Sequence, residues 1–316
     1  MEKRQLGNSD LQVYPIAFGG NVFGWTLNEK QSFEILNSFA NAGFNFIDTA
    51  DVYARWKPGN QGGESETIIG KWMKEKKNRH EIVLTTKVGS DMGDGKKGLK
   101  KDYILQAVED SLSRLQTDYL DLYQTHFDDI DTPVQETLEA YDQLVKEGKI
   151  RWIGASNMSV ERLKESFAVS LEHHLPEYQT FQPHYNLYER EIYENGLEPV
   201  CQGHGLGVIS YYSLAGGFLT GKYRNEGDLE KSVRGRGVAK YLDERGFRIL
   251  DTLDDAAKQY NTTDAAVALA WLIQRPSVTA PIVSATSLSQ LESIIAAPAL
   301  HLDANTIAQL TAASAW

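Results

Sequence analysis

Residues Leu120–Asn157 read LDLYQTHFDDIDTPVQETLEAYDQLVKEGKIRWIGASN, and this stretch decides the fold. It opens on an apolar run, Leu120–His126, too short for a helix and rich in strand formers. Thr132-Pro133-Val134-Gln135 then offers an N-cap, a proline at the first helical position and a glutamine three residues after the cap. Leu138, Tyr141, Leu144 and Val145 fall on one helical face, and Gly148 supplies the stop. A second short apolar run, Arg151–Gly154, follows at once. The stretch predicts one strand–helix–strand unit.

The same rhythm runs outward in both directions. Further strands are predicted at Ile16–Gly19, Phe46–Thr49, Ile82–Lys87, Thr180–Gln182, Val208–Tyr211 and Thr279–Val283, which makes eight. Lys101–Leu115 repeats the helical pattern with Ile104, Val108, Leu112 and Leu115. Eight parallel strands with covering helices predict an α/β fold, a closed (β/α)₈ TIM barrel, as one domain over residues 1–316. An open doubly wound sheet would carry G-x-G-x-x-G after its first strand, whereas Phe18–Gly24 reads FGGNVFG. Two regions break the rhythm. Arg4-Gln5-Leu6 and Leu11-Gln12-Val13 flank Gly7-Asn8-Ser9-Asp10, an N-terminal β-hairpin signal placed to plug the barrel's bottom. Before the last strand lie a long loop, Gly216–Gly237, and two extra helices, Asp243–Tyr260 and Thr262–Gln274.

Composition narrows the function. The 316 residues carry a net charge of −11, which repels nucleic-acid phosphates and anionic membrane surfaces. The single cysteine, Cys201, excludes an intrachain disulfide framework. No apolar run reaches the ~18 residues of a membrane span, and Met1-Glu2-Lys3-Arg4 lacks a signal-peptide core. A soluble, cytoplasmic protein is expected. No metal site is expected either: the seven histidines show no ligand spacing, and His173-His174 are adjacent on a predicted helix. There is no G-x-S-x-G elbow and no P-loop.

In a (β/α)₈ barrel, chemistry sits at the carboxyl ends of the strands. The second strand ends in Asp48-Thr49-Ala50-Asp51-Val52-Tyr53, the third in Thr85-Thr86-Lys87 and the fourth in Gln124-Thr125-His126. Singly, such residues are turn formers, snorkelling cations or packing groups. Three successive strands presenting an acid, a phenol, an amine and an imidazole at one mouth form a complementary set.

At this point the chain resembles the aldo-keto reductase superfamily. Asp48, Tyr53, Lys87 and His126 match its catalytic tetrad in order and spacing. Gly154-Ala155-Ser156-Asn157, Gln182 with Tyr185-Asn186-Leu187, and the run from Gly216 to Tyr223 match further motifs. The resemblance implies an NAD(P)H-dependent carbonyl reductase. Tyr53, a phenol near pKa 10, would donate the proton. Lys87 would lower its pKa, Asp48 would hold the ammonium, and His126 would orient the substrate carbonyl.

For the cofactor, the resemblance implies Ser156, Asn157 and Gln182 on the carboxamide and Tyr211 stacked on the nicotinamide. It implies Gly20, Asn21, Asp48, Ser213, Leu214, Gly216 and Gly217 around the ring and pyrophosphate, with Lys222 and Arg234 supplying charge. Arg234 and Arg236 are each equally readable as solvated loop residues. Ser284-Ala285-Thr286-Ser287 stands where many relatives carry a cation for the 2′-phosphate, and Gln290 and Ser293 continue that cofactor-facing segment. NADP(H) is favoured by family default and NAD(H) stays open.

The segment from Ala54 to Gly63 is longer than the family's usual turn and overhangs the mouth. Trp25 and Trp56 would wall the substrate beside Tyr53 and His126. Arg55 and Lys57 could meet an anion, and Asp128 and Asp129 could meet a polyol; each is also readable as a solvated loop residue. The implied partner is a small aldehyde, ketone, sugar or alcohol. Two other readings stay open. One is a redox-sensing regulatory subunit resembling potassium-channel β-subunits. The other is a different barrel enzyme, such as an isomerase. The oligomeric state is not legible.

Overall fold

The computed structural model describes residues 2–316. Two short strands, β1 (Arg4–Gln5) and β2 (Gln12–Val13), pair antiparallel with Arg4 opposite Val13. Eight parallel strands follow: β3 (Ala17–Gly19), β4 (Phe46–Asp48), β5 (Val83–Val88), β6 (Leu120–Thr125), β7 (Ile150–Ser156), β8 (Thr180–Gln182), β9 (Gly207–Val208) and β10 (Ile282–Val283). Their order in the sheet is β10-β3-β4-β5-β6-β7-β8-β9. Backbone bonds from Thr279 and Ala280 to the Val208 carbonyl, and from Ile282 to Ser210, close the ring. The expected barrel and N-terminal hairpin are both present.

Helices α1 (Glu29–Asn41), α2 (Glu64–Lys76), α3 (Lys101–Leu115), α4 (Val134–Lys146) and α5 (Val160–His173) cover the first five barrel strands. The short α6 (Glu198–Gly203) follows β8, and α7 (Glu244–Tyr260) and α8 (Asp264–Ile273) precede β10. Helices α9 (Leu288–Ala296) and α10 (Ala304–Ala313) end the chain. Among the described residues, no helix is long and apolar enough to cross a membrane.

Strand alternation sorts two cores. Phe18, Ile47, Leu84, Tyr123 and Phe181 point outward into the helical layer. Ala17, Phe46, Val83, Leu122, Ile209 and Ile282 point inward and pack with Leu6, Leu11 and Val13 of the hairpin. The hairpin therefore plugs the amino-terminal end of the barrel. Its turn needs Gly7: φ is +64°, and a Cβ there would collide with the Gln179 carbonyl. Above the plug the inward positions turn polar, and the Gln124 amide donates to the Thr85 hydroxyl at 2.9 Å.

Several boundaries depart from expectation, and the strand expected over Val208–Tyr211 is only Gly207–Val208. Thr132 does not cap α4: its hydroxyl donates to Asp129 Oδ2 at 2.7 Å, a charged acceptor, and Pro133 takes the cap position instead. Gln135 reaches forward to Glu139 rather than back to the cap. The last strand shortens to Ile282–Val283 because Pro281 brings no N–H to the ladder. The long loop is not structureless. It folds into three short 3₁₀ segments, Ala215–Thr220, Glu226–Lys231 and Gly235–Tyr241.

Candidate active site

Asp48 ends β4, Lys87 lies on β5, and His126 immediately follows β6; all three take inward positions. Strand alternation thus brings an acid, an amine and an imidazole to one end of the barrel. Lys87 is fully buried and uses its ammonium three ways. It donates to Asp48 Oδ2 at 2.7 Å, to the Thr49 carbonyl at 2.8 Å and to the Tyr53 hydroxyl oxygen at 2.8 Å. Tyr53 keeps its own proton, directed at Asp48 Oδ2 over a long 3.3 Å. The Gln182 amide holds the other Asp48 oxygen at 3.0 Å.

Burial dominates the electrostatics here. It holds the Tyr53 phenol well above its ordinary value, and the Asp48 charge pushes the same way. The expected easing of the phenol by Lys87 is therefore outweighed, and Tyr53 stays protonated. Burial lowers the Lys87 ammonium while the Asp48 carboxylate opposes that shift. Burial, and then the Lys87 charge, push His126 well below its usual range, so its imidazole is neutral. His126 Nδ1 lies 3.0 Å from the Ser90 hydroxyl. With Ser90 donating to Nδ1, the ring proton sits on Nε2, the nitrogen available to a ligand.

These groups open onto a cavity of 890 Å³. Asn21, Asp48, Tyr53, Trp56, His126, Ser156, Asn157 and Gln182 line it, as do Tyr211, Ser213, Leu214, Gly216, Gly217, Lys222, Arg234, Ser284, Thr286 and Gln290. Gly20 and Trp25 do not: the bare face of Gly20 meets Ser65 and Asp48, while Trp25 packs edge-on against Trp56. Lys87 sits behind the lining and touches it through Asp48 and Tyr53.

The polar lining is tied together in advance. Ser156 donates to the Gln182 carbonyl at 2.9 Å, Asn157 donates to the His126 carbonyl at 2.9 Å, and Tyr211 donates to Asn157 Oδ1 at 2.8 Å. Gly216 and Gly217 adopt φ of +68° and +100°, where a side chain would be strained. Lys222 and Arg234 face this cavity without an acidic partner among the described residues. Lys222 packs on the Tyr223 ring, and Arg234 lies over Trp25 at 5.1 Å. An acidic protein has here a cavity whose unpaired charge is positive. The Ser284 hydroxyl donates to the Gly19 carbonyl and to Asn21 Oδ1, and Arg234 reaches the same Asn21 oxygen at 3.3 Å. Thr286 is bound to Gln290. Arg236 is exposed.

Several loop residues turn elsewhere. Asp128 pairs with Arg162 at 3.0 Å, and Asp129 accepts from Leu99 and Thr132. Lys57 donates to the Gly24 carbonyl. Arg55 lies against Gly93.

Sequence reasoning missed Ser90, the cavity-lining Phe127 and Val233, and a second buried cluster. In that cluster Glu66 accepts from Thr86 at 2.5 Å and from Arg114 at 2.6 Å. Asp51 lies beside it with both carboxyl oxygens buried and unpartnered. Burial, then the Glu66 charge, raises Asp51 to about 8, so it is a neutral acid at pH 7. Its N–H donates to the Lys87 carbonyl at 3.3 Å. Only Phe127, adjacent to His126, carried a usable signal in the sequence.

Comparison with known proteins adds a family. The model described as "Aldo/keto reductase family" matches residues 15–315. The chain is similar to the oxidoreductase YrpG of Bacillus subtilis, 36% identical over 98% of this chain and 95% of the relative. It is 35% identical to the aldo-keto reductase YhdN of the same organism, over 88% of this chain and 81% of the relative. It is 32% identical to a probable voltage-gated potassium channel subunit beta of Arabidopsis thaliana, over 92% and 89%.

Proposed function

Because the chain belongs to the aldo/keto reductase family of oxidoreductases, we propose that it reduces the carbonyl of a small aldehyde, ketone or sugar with NAD(P)H, using Tyr53 as the acid. The observation that carries this reading is the Lys87 ammonium, 2.7 Å from Asp48 and 2.8 Å from a still-protonated Tyr53, at the wall of a ligand-sized cavity.

The residues present fit a nicotinamide dinucleotide. The cavity volume, two cations without acidic partners, and glycines that leave backbone amides approachable suit a pyrophosphate. The Ser156–Asn157–Gln182–Tyr211 network suits a flat ring bearing an amide. Asp48 borders the same wall, while Ser213 and Leu214 border the loop side. When bound, the nicotinamide supplies a hydride to the carbonyl carbon. The protein's part is the proton. A carbonyl oxygen entering between Tyr53 and His126 replaces the long Tyr53–Asp48 contact, and His126 Nε2–H fixes its direction. Tyr53 passes its proton to that oxygen, and the Lys87 ammonium already touching the phenol oxygen stabilises the phenolate. A high Tyr53 pKa keeps the donor loaded with its proton at neutral pH, whereas alcohol oxidation needs the phenolate first.

NADPH is favoured over NADH. Ser284 and Thr286 bring no charge to the end of β10, but Arg234 shares Asn21 with Ser284 and so stands beside that gap. A guanidinium there suits a 2′-phosphate.

Titration with NADPH and NADH, followed by tryptophan fluorescence, tests the reading. Tight binding of a reduced nucleotide, with its consumption on adding carbonyl compounds, is expected. Absence of binding overturns it. The Arabidopsis relative favours one second reading, a cofactor-binding regulatory subunit. It predicts binding with slow turnover and a stable partner complex.

A further inference from the structure

Five rings form an unbroken arc across the mouth. From Trp25 to Trp56 the centroids are 5.5 Å apart, from Trp56 to Tyr53 6.1 Å, from Tyr53 to His126 5.9 Å, and from His126 to Phe127 4.9 Å. The proton donor sits at the middle of this arc. Its two lining ends are open: Trp56 is 47% and Phe127 48% exposed. Among the described residues ten large apolar side chains are exposed, and four of them, Trp56, Phe127, Tyr212 and Val233, line this one cavity. Apolar surface left uncovered and concentrated at a pocket marks a ligand that covers it.

The charged side chains that would suit other substrates are committed elsewhere. Asp128 and Asp129, which would hold a polyol, are bound to Arg162, Leu99 and Thr132. Lys57, which would meet an acid group, is bound to the Gly24 carbonyl, and Arg55 lies off the cavity. Two cations touch the arc: Lys87, over the Tyr53 ring at 4.5 Å, is buried and bound to Asp48, and Arg234 lies over Trp25 at 5.1 Å, on the side of the cavity assigned above to the cofactor phosphates.

On the reductase reading above, we propose that the substrate is an uncharged, planar aromatic aldehyde or ketone, stacked between Trp56 and Phe127 with its carbonyl at Tyr53 and His126. A flat ring lies edge-on or offset against each neighbour, the arrangement the five protein rings already adopt. An open-chain sugar would leave this surface wet, and a carboxylate-bearing aldehyde would have to lose its hydration against Trp56 and Phe127, because the free cations of the cavity, Lys222 and Arg234, are those assigned above to the cofactor phosphates. Trp56 and Phe127 are then the specificity-determining residues. Being half exposed, both can be truncated without opening a core cavity.

The test is steady-state reduction of benzaldehyde, D-glyceraldehyde and succinic semialdehyde with NADPH, by the full chain and by Trp56→Ala, Phe127→Ala and Trp56→Phe. Benzaldehyde is expected to have the highest kcat/KM, by about tenfold or more. Each alanine variant should lower that value about tenfold, leave glyceraldehyde within about twofold, and leave the KM for NADPH unchanged. Trp56→Phe should retain most of the benzaldehyde rate. A wild-type preference for glyceraldehyde or the semialdehyde overturns the inference and leaves the reductase reading standing, as does an equal loss on all three substrates. Binding of NADPH with reduction of no carbonyl overturns both.

Discussion

Strand β5 has two faces, and each carries a buried ion pair. On the inner face Lys87 meets Asp48; on the outer face Thr86 helps hold Glu66, which meets Arg114. Both acids are out of water, so both pairs carry a desolvation cost of several kcal/mol per ion. They differ in what else touches them. The inner pair includes a hydroxyl, Tyr53, that borders the cavity and still has a proton to give. The outer pair is packed between α2 and α3 and borders no ligand space among the described residues. Buried charge next to an opening is arranged for chemistry, and the same charge without an opening ties helices to a sheet. Asp51 links the two, its amide on the Lys87 carbonyl and its acid beside Glu66.

Mutations on the two faces should separate these roles. Tyr53→Phe removes the inner proton and is expected to lower kcat for carbonyl reduction by about 10²–10⁴-fold. NADPH affinity by fluorescence should hardly change. A variant that keeps its rate would break the contrast at its centre. Arg114→Met leaves Glu66 buried and unpaired. It should cost about 3–5 kcal/mol in urea unfolding, with kcat of the folded fraction altered only a few-fold. A large kcat loss without a stability loss would move that pair into the catalytic machinery.

Asp51 sharpens the comparison through pH. Its folded pKa, about 8, lies above the ordinary carboxyl value of 3.8, so the folded state binds the proton more tightly. Stability from this group is therefore fully present at low pH and is lost as pH rises through the folded pKa. Between pH 5 and pH 8 the wild type should lose about 3 kcal/mol relative to Asp51→Asn, which stays neutral throughout. Parallel stability curves would show that Asp51 is ionised in the folded protein. The smallest effect concerns the cofactor. Ser284→Arg adds a cation beside Asn21 and should raise the preference for NADPH over NADH by about tenfold, read from the ratio of kcat/KM values. No change would mean that Arg234 already satisfies the phosphate.

Legibility in the sequence followed how local each signal was. Helix α3 runs from Lys101 to Leu115 as its periodicity predicts, because one strong face and one stretch of sequence specify it. The α4 cap was misread because its deciding partner is the charged Asp129, three residues before Thr132 and outside the capping pattern. The arrangement of Asp48, Tyr53, Lys87 and His126 was readable because each follows or ends an apolar run, and alternation fixes which way the strand residues face. The outer cluster was not. Asp51, Glu66 and Arg114 look like ordinary surface charges, and only the packing of α2 on α3 brings them together out of water. The aromatic rim was half legible: Trp56 stood out in a long loop, while Phe127 was masked by the histidine before it.

The plug at the foot of the barrel also sets an order of events. Arg4 donates to the carbonyls of Ile273, Val278 and Thr279, partners 269 to 275 positions further along. At ribosomal speeds of ~5–20 residues per second, those partners emerge roughly 15–55 s after Arg4 itself. Until then the greasy side of the hairpin, Leu6, Leu11 and Val13, has only part of its seat, because Ala280 and Ile282 of the same cluster are still to be made. The hairpin, made before every barrel strand, is thus among the last segments whose docking can be completed. On the growing chain that apolar face stays partly uncovered until the last barrel strand arrives.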